Sequence, residues 1–187
     1  CCRRLNGVCR DRTLWRIVDF RTKPIRSRDL KRYTKYFQSY TEKLAIKGNF
    51  EDDSGASRFE ELGKDVVCAI TNTCPNLKAF HIENYAIKGD ALRIVDLPQT
   101  LQTLSLKGTD VSNVVPVARS YFFKIDTHMP NLTTLILSEC SWLSAHSLLV
   151  ISKIPKLKEL RMNSCENLGE CVAYASLATR FGFKSLE

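Results

Sequence analysis

Glycine is scarce in this sequence, and its eight glycines are scattered. Neither a phosphate-binding loop nor a dinucleotide-binding turn can be assembled from them. Histidine is scarcer. His81, His128 and His146 stand far apart with no carboxylate or cysteine at ligand spacing, and they read as surface or packing residues rather than catalytic bases. Cys1, Cys2 and Cys9 lack the matching second pair that a zinc site needs. Long apolar runs are missing too. The uncharged stretch 140–152 carries polar residues throughout and is too short to cross a bilayer. These absences argue against an enzyme, and no cofactor, metal or membrane partner is expected.

What the sequence has instead is a repeated spacing of leucines. Leu132, Leu135, Leu137, Cys140 and Leu143 spell L-x-x-L-x-L-x-x-C-x-x-L, the signature of a leucine-rich repeat. Leu157, Leu160, Met162, Cys165 and Leu168 keep every spacing. Two further copies begin at Leu77-x-x-Phe80-x-Ile82 and Leu101-x-x-Leu104-x-Leu106, and Phe183-x-x-Leu186 starts another. The second apolar positions, Phe80, Leu104, Leu135, Leu160 and Leu186, are separated by 24, 31, 25 and 26 residues. One unit, between Leu104 and Leu135, is therefore enlarged. A weaker first unit centres on Leu44-Ala45-Ile46. The expected fold class is α/β: a horseshoe segment of a leucine-rich-repeat solenoid.

In such an array period-two alternation buries the leucines and turns the intervening strand residues onto one concave sheet. That register puts Ala79, His81 and Glu83 outward, then Thr103, Ser105 and Lys107, then Thr134, Ile136 and Ser138, and finally Glu159, Arg161 and Asn163. Of these, His81, Glu83, Ser105, Lys107, Ile136, Ser138, Glu159 and Arg161 are the candidate residues for holding a protein substrate. Cys140 and Cys165 occupy equivalent positions, which points to structural thiols rather than a disulfide framework. A reduced compartment, cytoplasmic or nuclear, follows.

Charge is unevenly spread. Residues 1–48 hold 14 Lys/Arg against 4 Asp/Glu, and residues 49–187 hold 14 against 16. The basic quarter reads as a solvated face or as contact with an acidic protein partner. Its aromatics form no stacking motif in the sequence, so nucleic acid is not the expected partner.

Along the chain, helical spacing predicts a basic amphipathic helix over 27–37, with Ser27 as its N-cap. Residues 48–57 read as a loop, and 59–73 as a helix burying Leu62, Val66, Val67 and Ile70. A short helical stretch is expected over 89–95, and convex-side helices over 145–154 and 169–180. Tyr121-Phe122-Phe123, in the enlarged unit, reads as core.

Ahead of the repeats, Cys2-Arg3-Arg4 is followed by Asp11, Leu14, Trp15, Val18, Asp19 and Phe20. In this order and spacing, residues 1–21 resemble the second half of an F-box, with Leu5 standing where tryptophan is common. The first half, with its Leu-Pro opening, is absent from the sequence. With cysteine-containing repeats behind it, nearly the whole chain is similar to the F-box/LRR-repeat family. The resemblance implies three regions: the C-terminal helical part of an F-box over 1–21, a connecting helix with a weak repeat and loop over 22–60, and repeats over 61–187. It implies that Leu5, Val8, Leu14 and Trp15 belong to the surface that holds a Skp-type adaptor and, through it, a cullin scaffold. The repeats would hold the protein to be ubiquitinated, as in the non-catalytic recognition subunit of an SCF-type ubiquitin ligase. The alternative is a repeat scaffold with no ubiquitin role.

Overall fold

The computed structural model describes residues 11–51, 55–114, 120–168, 180 and 182–187. The protein is mixed α/β. Six short strands form one parallel sheet: β1 (Ile17–Asp19), β2 (Lys43–Lys47), β5 (Ala79–Glu83), β7 (Thr103–Ser105), β9 (Thr134–Ile136) and β10 (Glu159–Arg161). They lie side by side in chain order, in the register Val18–Leu44–Phe80–Leu104–Leu135–Leu160. A second sheet holds β3 (Asn49–Glu51), β4 (Ser57–Glu61), β6 (Tyr85–Lys88) and β8 (Asp110–Ser112), parallel except for the β3–β4 hairpin.

Helices return the chain between the strands of the first sheet, as parallel pairing requires. They are α1 (Ser27–Tyr33), α2 (Lys64–Thr73), α3 (Ile125–His128) and α4 (Ala145–Ile151). Helix α1 packs on α2, α2 on the 3-10 turn Ile94–Asp96, that turn on α3, and α3 on α4. The core lies between sheet and helices. Leu44, Ile46, Phe80, Ile82, Leu104, Leu106, Leu135 and Leu137 enter it from the strands, and Leu30, Val66, Val67, Ile70, Ile125 and Ile151 from the helices.

The same backbone bonds recur at every step across the first sheet. The carbonyl of Arg16 accepts from the amides of Glu42 and Lys43, that of Glu42 from Lys78 and Ala79, and that of Lys78 from Gln102 and Thr103. Gln102 and Thr133 repeat the pattern with Thr133/Thr134 and Lys158/Glu159. At the strand exits Asn84, Gly108, Glu139 and Ser164 hold the left-handed conformation, with φ of 55°, 63°, 62° and 58°. Their separations are those of the leucine pattern, so one turn geometry is used at the exits of β5, β7, β9 and β10. At Gly108 a Cβ would also meet Asn84 Oδ1, so any larger residue there would have to displace the Asn84 side chain.

This ladder explains the cysteine position. Cys140 Sγ donates to the Leu106 carbonyl at 3.1 Å, and Cys165 Sγ to the Leu137 carbonyl at 3.0 Å. Each thiol thus satisfies a carbonyl of the preceding unit at the turn, where backbone pairing ends. Burial pushes the Cys140 thiol up to about 12 and the Cys74 thiol up to about 11, which leaves little nucleophilic thiolate. Cys68, Cys74, Cys140 and Cys165 are free.

Several local expectations change. Ser27 is the first residue of α1 rather than its cap, because its hydroxyl donates to the Glu61 carbonyl instead. The segment 48–57 is not simply a loop: Asn49–Glu51 pairs with Ser57–Glu61, so residues 59–61 are strand and the helix starts at Lys64. Its buried face is nevertheless the expected one, with Leu62, Val66, Val67 and Ile70 all enclosed. Pairing with β6 overrides the helical spacing of 59–61, since Leu62 donates its amide to Ala86 rather than into a helix. Residues 89–95 hold a turn and the start of the 3-10 segment, not a longer helix. Leu186 falls at the first apolar position, not the second, because Glu187 donates to the Lys158 carbonyl as Lys158 does to Thr133. Tyr121 and Phe122 are core, while Phe123 is 47% exposed. The helix expected over 169–180 lies, apart from Arg180, outside the described residues.

Candidate protein-binding face

The face of the six-stranded sheet turned away from the helices is laid out in rows. One row runs Ile17, Lys43, Ala79, Thr103, Thr134 and Glu159, and the next Asp19, Ala45, His81, Ser105, Ile136 and Arg161. The alternation that turns leucines inward therefore puts every predicted face residue on these rows or at the strand exits beyond them. Their accessibility varies more than alternation suggests. Glu83, Lys107, Ile136 and Glu159 are partly exposed and Arg161 is exposed. Three predicted contact residues are enclosed: His81 is 9% exposed, Ser105 1% and Ser138 8%. They lie on or just past strands with a neighbour about 5 Å away on each side, so flanking side chains close over them. These three form the enclosed floor of the face.

Charged pairs frame this floor. Arg21, just past β1, binds Asp19 of its own strand at 2.6 Å and reaches across β2 to Glu83 at 3.3 Å. Its hydrogen bond holds the Asp19 carboxyl below the usual carboxylate range, and Asp19 in turn raises Arg21. Lys107 pairs with Glu139 at 3.1 Å and Arg161 with Glu159 at 2.5 Å. Solvent-facing pairs of this kind add little stability. They do fix a pattern of alternating sign, which can select one protein partner over another.

His81 is the one titratable group on the floor whose pKa is displaced strongly. Burial lowers it to about 4, Lys43 and Arg21 push the same way, and Asp19 opposes them. The unfolded imidazole takes its proton near 6.5, so between those values the unfolded chain binds more protons than the folded one. Stability is therefore lost as pH falls from 6.5 towards 4. Thermal melts across this range should show wild type falling faster than His81→Gln, with a constant gap between them above pH 7. Parallel curves throughout would mean that His81 is not held neutral.

Of the candidate adaptor-binding residues, Leu5 and Val8 lie outside the described residues. Leu14 and Trp15 sit on a 3-10 turn (Arg12–Trp15) opened by Asp11, whose Oδ1 accepts from the Thr13 amide at 2.9 Å. Trp15 is partly buried, stacked on Tyr36 at 5.4 Å and tilted against Phe37 at 6.1 Å. It thus braces the start of the sheet against the end of α1. Leu14 is 53% exposed and Ile17 59%, an apolar pair open at the outer edge of β1.

Asp19 and Arg21 are hidden as face residues in the sequence because 1–21 resembles a separate region, and Lys43 because it belongs to the faint first unit. A signal was present: Trp15-x-x-Val18-x-Phe20 repeats the three-then-two spacing of the leucine pattern. Among the described residues no cluster of His, Cys, Asp and Glu is arranged to hold a metal ion. No helix among them is long and apolar enough to cross a membrane. No protein-family model matches the chain. Comparison with curated proteins finds no match either.

Proposed function

We propose that the protein is a leucine-rich-repeat solenoid that serves as the substrate-recognition subunit of an SCF-type ubiquitin ligase. The observation that carries the repeat reading is the recurrence, step after step, of one register, one carbonyl ladder and one left-handed exit turn. A repeat built this way buries each leucine stripe against its neighbour and leaves a continuous sheet face for protein contact. The ubiquitin-ligase reading rests on the F-box-like order of residues 2–20, and the exposed Leu14–Ile17 pair is compatible with it. Such an edge offers apolar area to the rest of an F-box or to the adaptor itself. In this reading the ligase chemistry belongs to other subunits, and this chain supplies position in cytoplasm or nucleus.

The test uses the full-length protein expressed in cells. Wild type should co-purify with a Skp-type adaptor and a cullin, and Trp15→Ala should reduce that recovery. Lys107→Ala combined with Arg161→Ala should leave the adaptor and cullin in place while lowering capture of the target, because those residues lie on the sheet face. Circular dichroism of each variant separates these losses from unfolding. If wild type recovers no adaptor or cullin, the ubiquitin-ligase role is wrong and a plain repeat scaffold replaces it.

A further inference from the structure

The basic excess of the N-terminal quarter is gathered around a concavity. Between the β1–α1 connection, α1 and β3 lies a hollow of about 490 Å3, with Phe20, Ile25, Tyr33 and Phe50 among its walls. A neighbouring hollow of about 400 Å3 shares Arg26 and Phe50 with it. Among the described residues their walls hold the cations Lys23, Arg26, Arg28, Arg32 and Lys35 with two carboxylates, Asp29 and Glu60.

The two carboxylates cannot balance this charge. Asp29 is shared by Arg32 at 3.4 Å and Arg28 at 3.7 Å, and Glu60 also accepts the Ser27 amide at 3.1 Å. Among the described residues Lys23, Arg26 and Lys35 form no ion pair. The surface therefore holds an uncompensated positive field above apolar walls, which is complementary to an anion that also carries apolar surface.

The rings decide between the two polymers that fit this description. Single-stranded nucleic acid needs open aromatic faces on which bases can stack. Here Tyr36 is stacked on Trp15 with the Lys35 ammonium 4.9 Å from its centroid. Phe20 and Tyr33 lie against each other at 5.5 Å, and the Arg26 guanidinium covers Phe50 at 5.5 Å. Each of these rings is thus already engaged by a neighbour, and Phe20, Tyr33, Tyr36 and Phe50 stand as walls of a recess shared with the cations. We propose that this hollow is a docking site for an acidic peptide segment in which an apolar side chain is flanked by carboxylates. The apolar side chain enters between Ile25, Tyr33 and Phe50, and the carboxylates meet Lys23, Arg26, Arg32 and Lys35. This site is separate from the sheet face and does not depend on the ubiquitin-ligase reading.

The experiment is fluorescence anisotropy with the purified chain and a labelled peptide of alternating Asp and Glu around a central Phe-Leu pair. Three controls accompany it: the same peptide with Ser-Ser at the centre, one with amides replacing the carboxylates, and labelled oligouridylate. The acidic Phe-Leu peptide should bind, added salt should weaken it, and each control should bind at least roughly tenfold more weakly. Two paired variants, Arg26→Glu with Arg32→Glu and Lys23→Glu with Lys35→Glu, should each weaken the peptide by roughly tenfold while circular dichroism melts stay unchanged. The second pair makes no ion pair among the described residues, so it tests the site even if the first perturbs α1. Absence of peptide binding overturns the proposal, as does binding indifferent to both variants. Equal binding of the Ser-Ser peptide reduces the hollow to a charged surface. Tighter binding of oligouridylate makes it a nucleic-acid surface instead.

Discussion

Leu135→Asp should destabilise the protein by several kcal/mol, whereas Thr134→Asp, one residue away, should cost about 1 kcal/mol or less. Leu135 is completely enclosed, in register between Leu104 and Leu160. A carboxylate there would have no cation and no water, so it would either stay charged at great cost or protonate and remain unsatisfied. Thr134 faces the other side of the same strand and is partly exposed. Its only new penalty is a like charge opposite Glu159, its cross-strand partner, whose carboxylate is already engaged by Arg161. Urea denaturation of both variants measures the difference. Equal losses would mean that the two faces of the strand do not differ in burial as described.

Phe122→Ala should cost about 3–5 kcal/mol, the range for deleting a large aromatic from a core. Phe122 is fully buried. It stacks on Trp142 at 5.6 Å and meets Tyr121 edge-on at 5.9 Å, while Tyr121 also sits edge-on to Trp142 at 5.8 Å. Trp142 Nε1 donates to the Thr109 carbonyl at 2.8 Å, which ties this triad back to the exit of β7. Two of the three rings come from the enlarged unit between β7 and β9 and the third from the stretch just after β9. Removing the central ring would leave a cavity that neither stacked neighbour can close. Phe123→Ala, at the exposed position beside it, should change stability by only about 0.5 kcal/mol. A comparison of the two in chemical denaturation separates core filler from surface aromatic. Similar costs would show that the enlarged unit does not depend on this triad.

Both predictions draw on features the leucine spacing foretold, and the places where that spacing failed are informative. At residues 59–61 an apolar spacing compatible with a helix forms a strand, because β6 lies alongside and supplies hydrogen-bond partners. At 49–51 a polar, acidic segment that reads as loop forms the other half of a hairpin. Neither partner is adjacent in the pattern of side chains, so no local rule finds them. The first unit was faint for a different reason. Thr41 takes the position that leucine holds elsewhere, and it is fully buried, with its hydroxyl accepting from the Gln38 amide at 3.2 Å. A hydroxyl satisfied by its own turn can stand in a leucine position that hydrophobicity alone would reject.

The sequence by itself determined which residues face inward. Period-two alternation at Phe80–Ile82, Leu104–Leu106 and Leu135–Leu137 leaves no other way to bury those side chains together. It also determined the place of Cys140 and Cys165, whose equal position in the leucine pattern marks them as structural thiols. Tertiary structure decided what the outward residues are available to do. His81, Ser105 and Ser138 alternate correctly yet are enclosed, because accessibility depends on neighbours two or three dozen residues away in the chain. The same holds for the basic quarter. In the sequence its aromatics and cations form no motif, and only the fold brings Phe20, Arg26, Tyr33 and Phe50 around one hollow. Patterning sets the direction in which a side chain points, but the surface it shares is set by which strands and helices pack beside it.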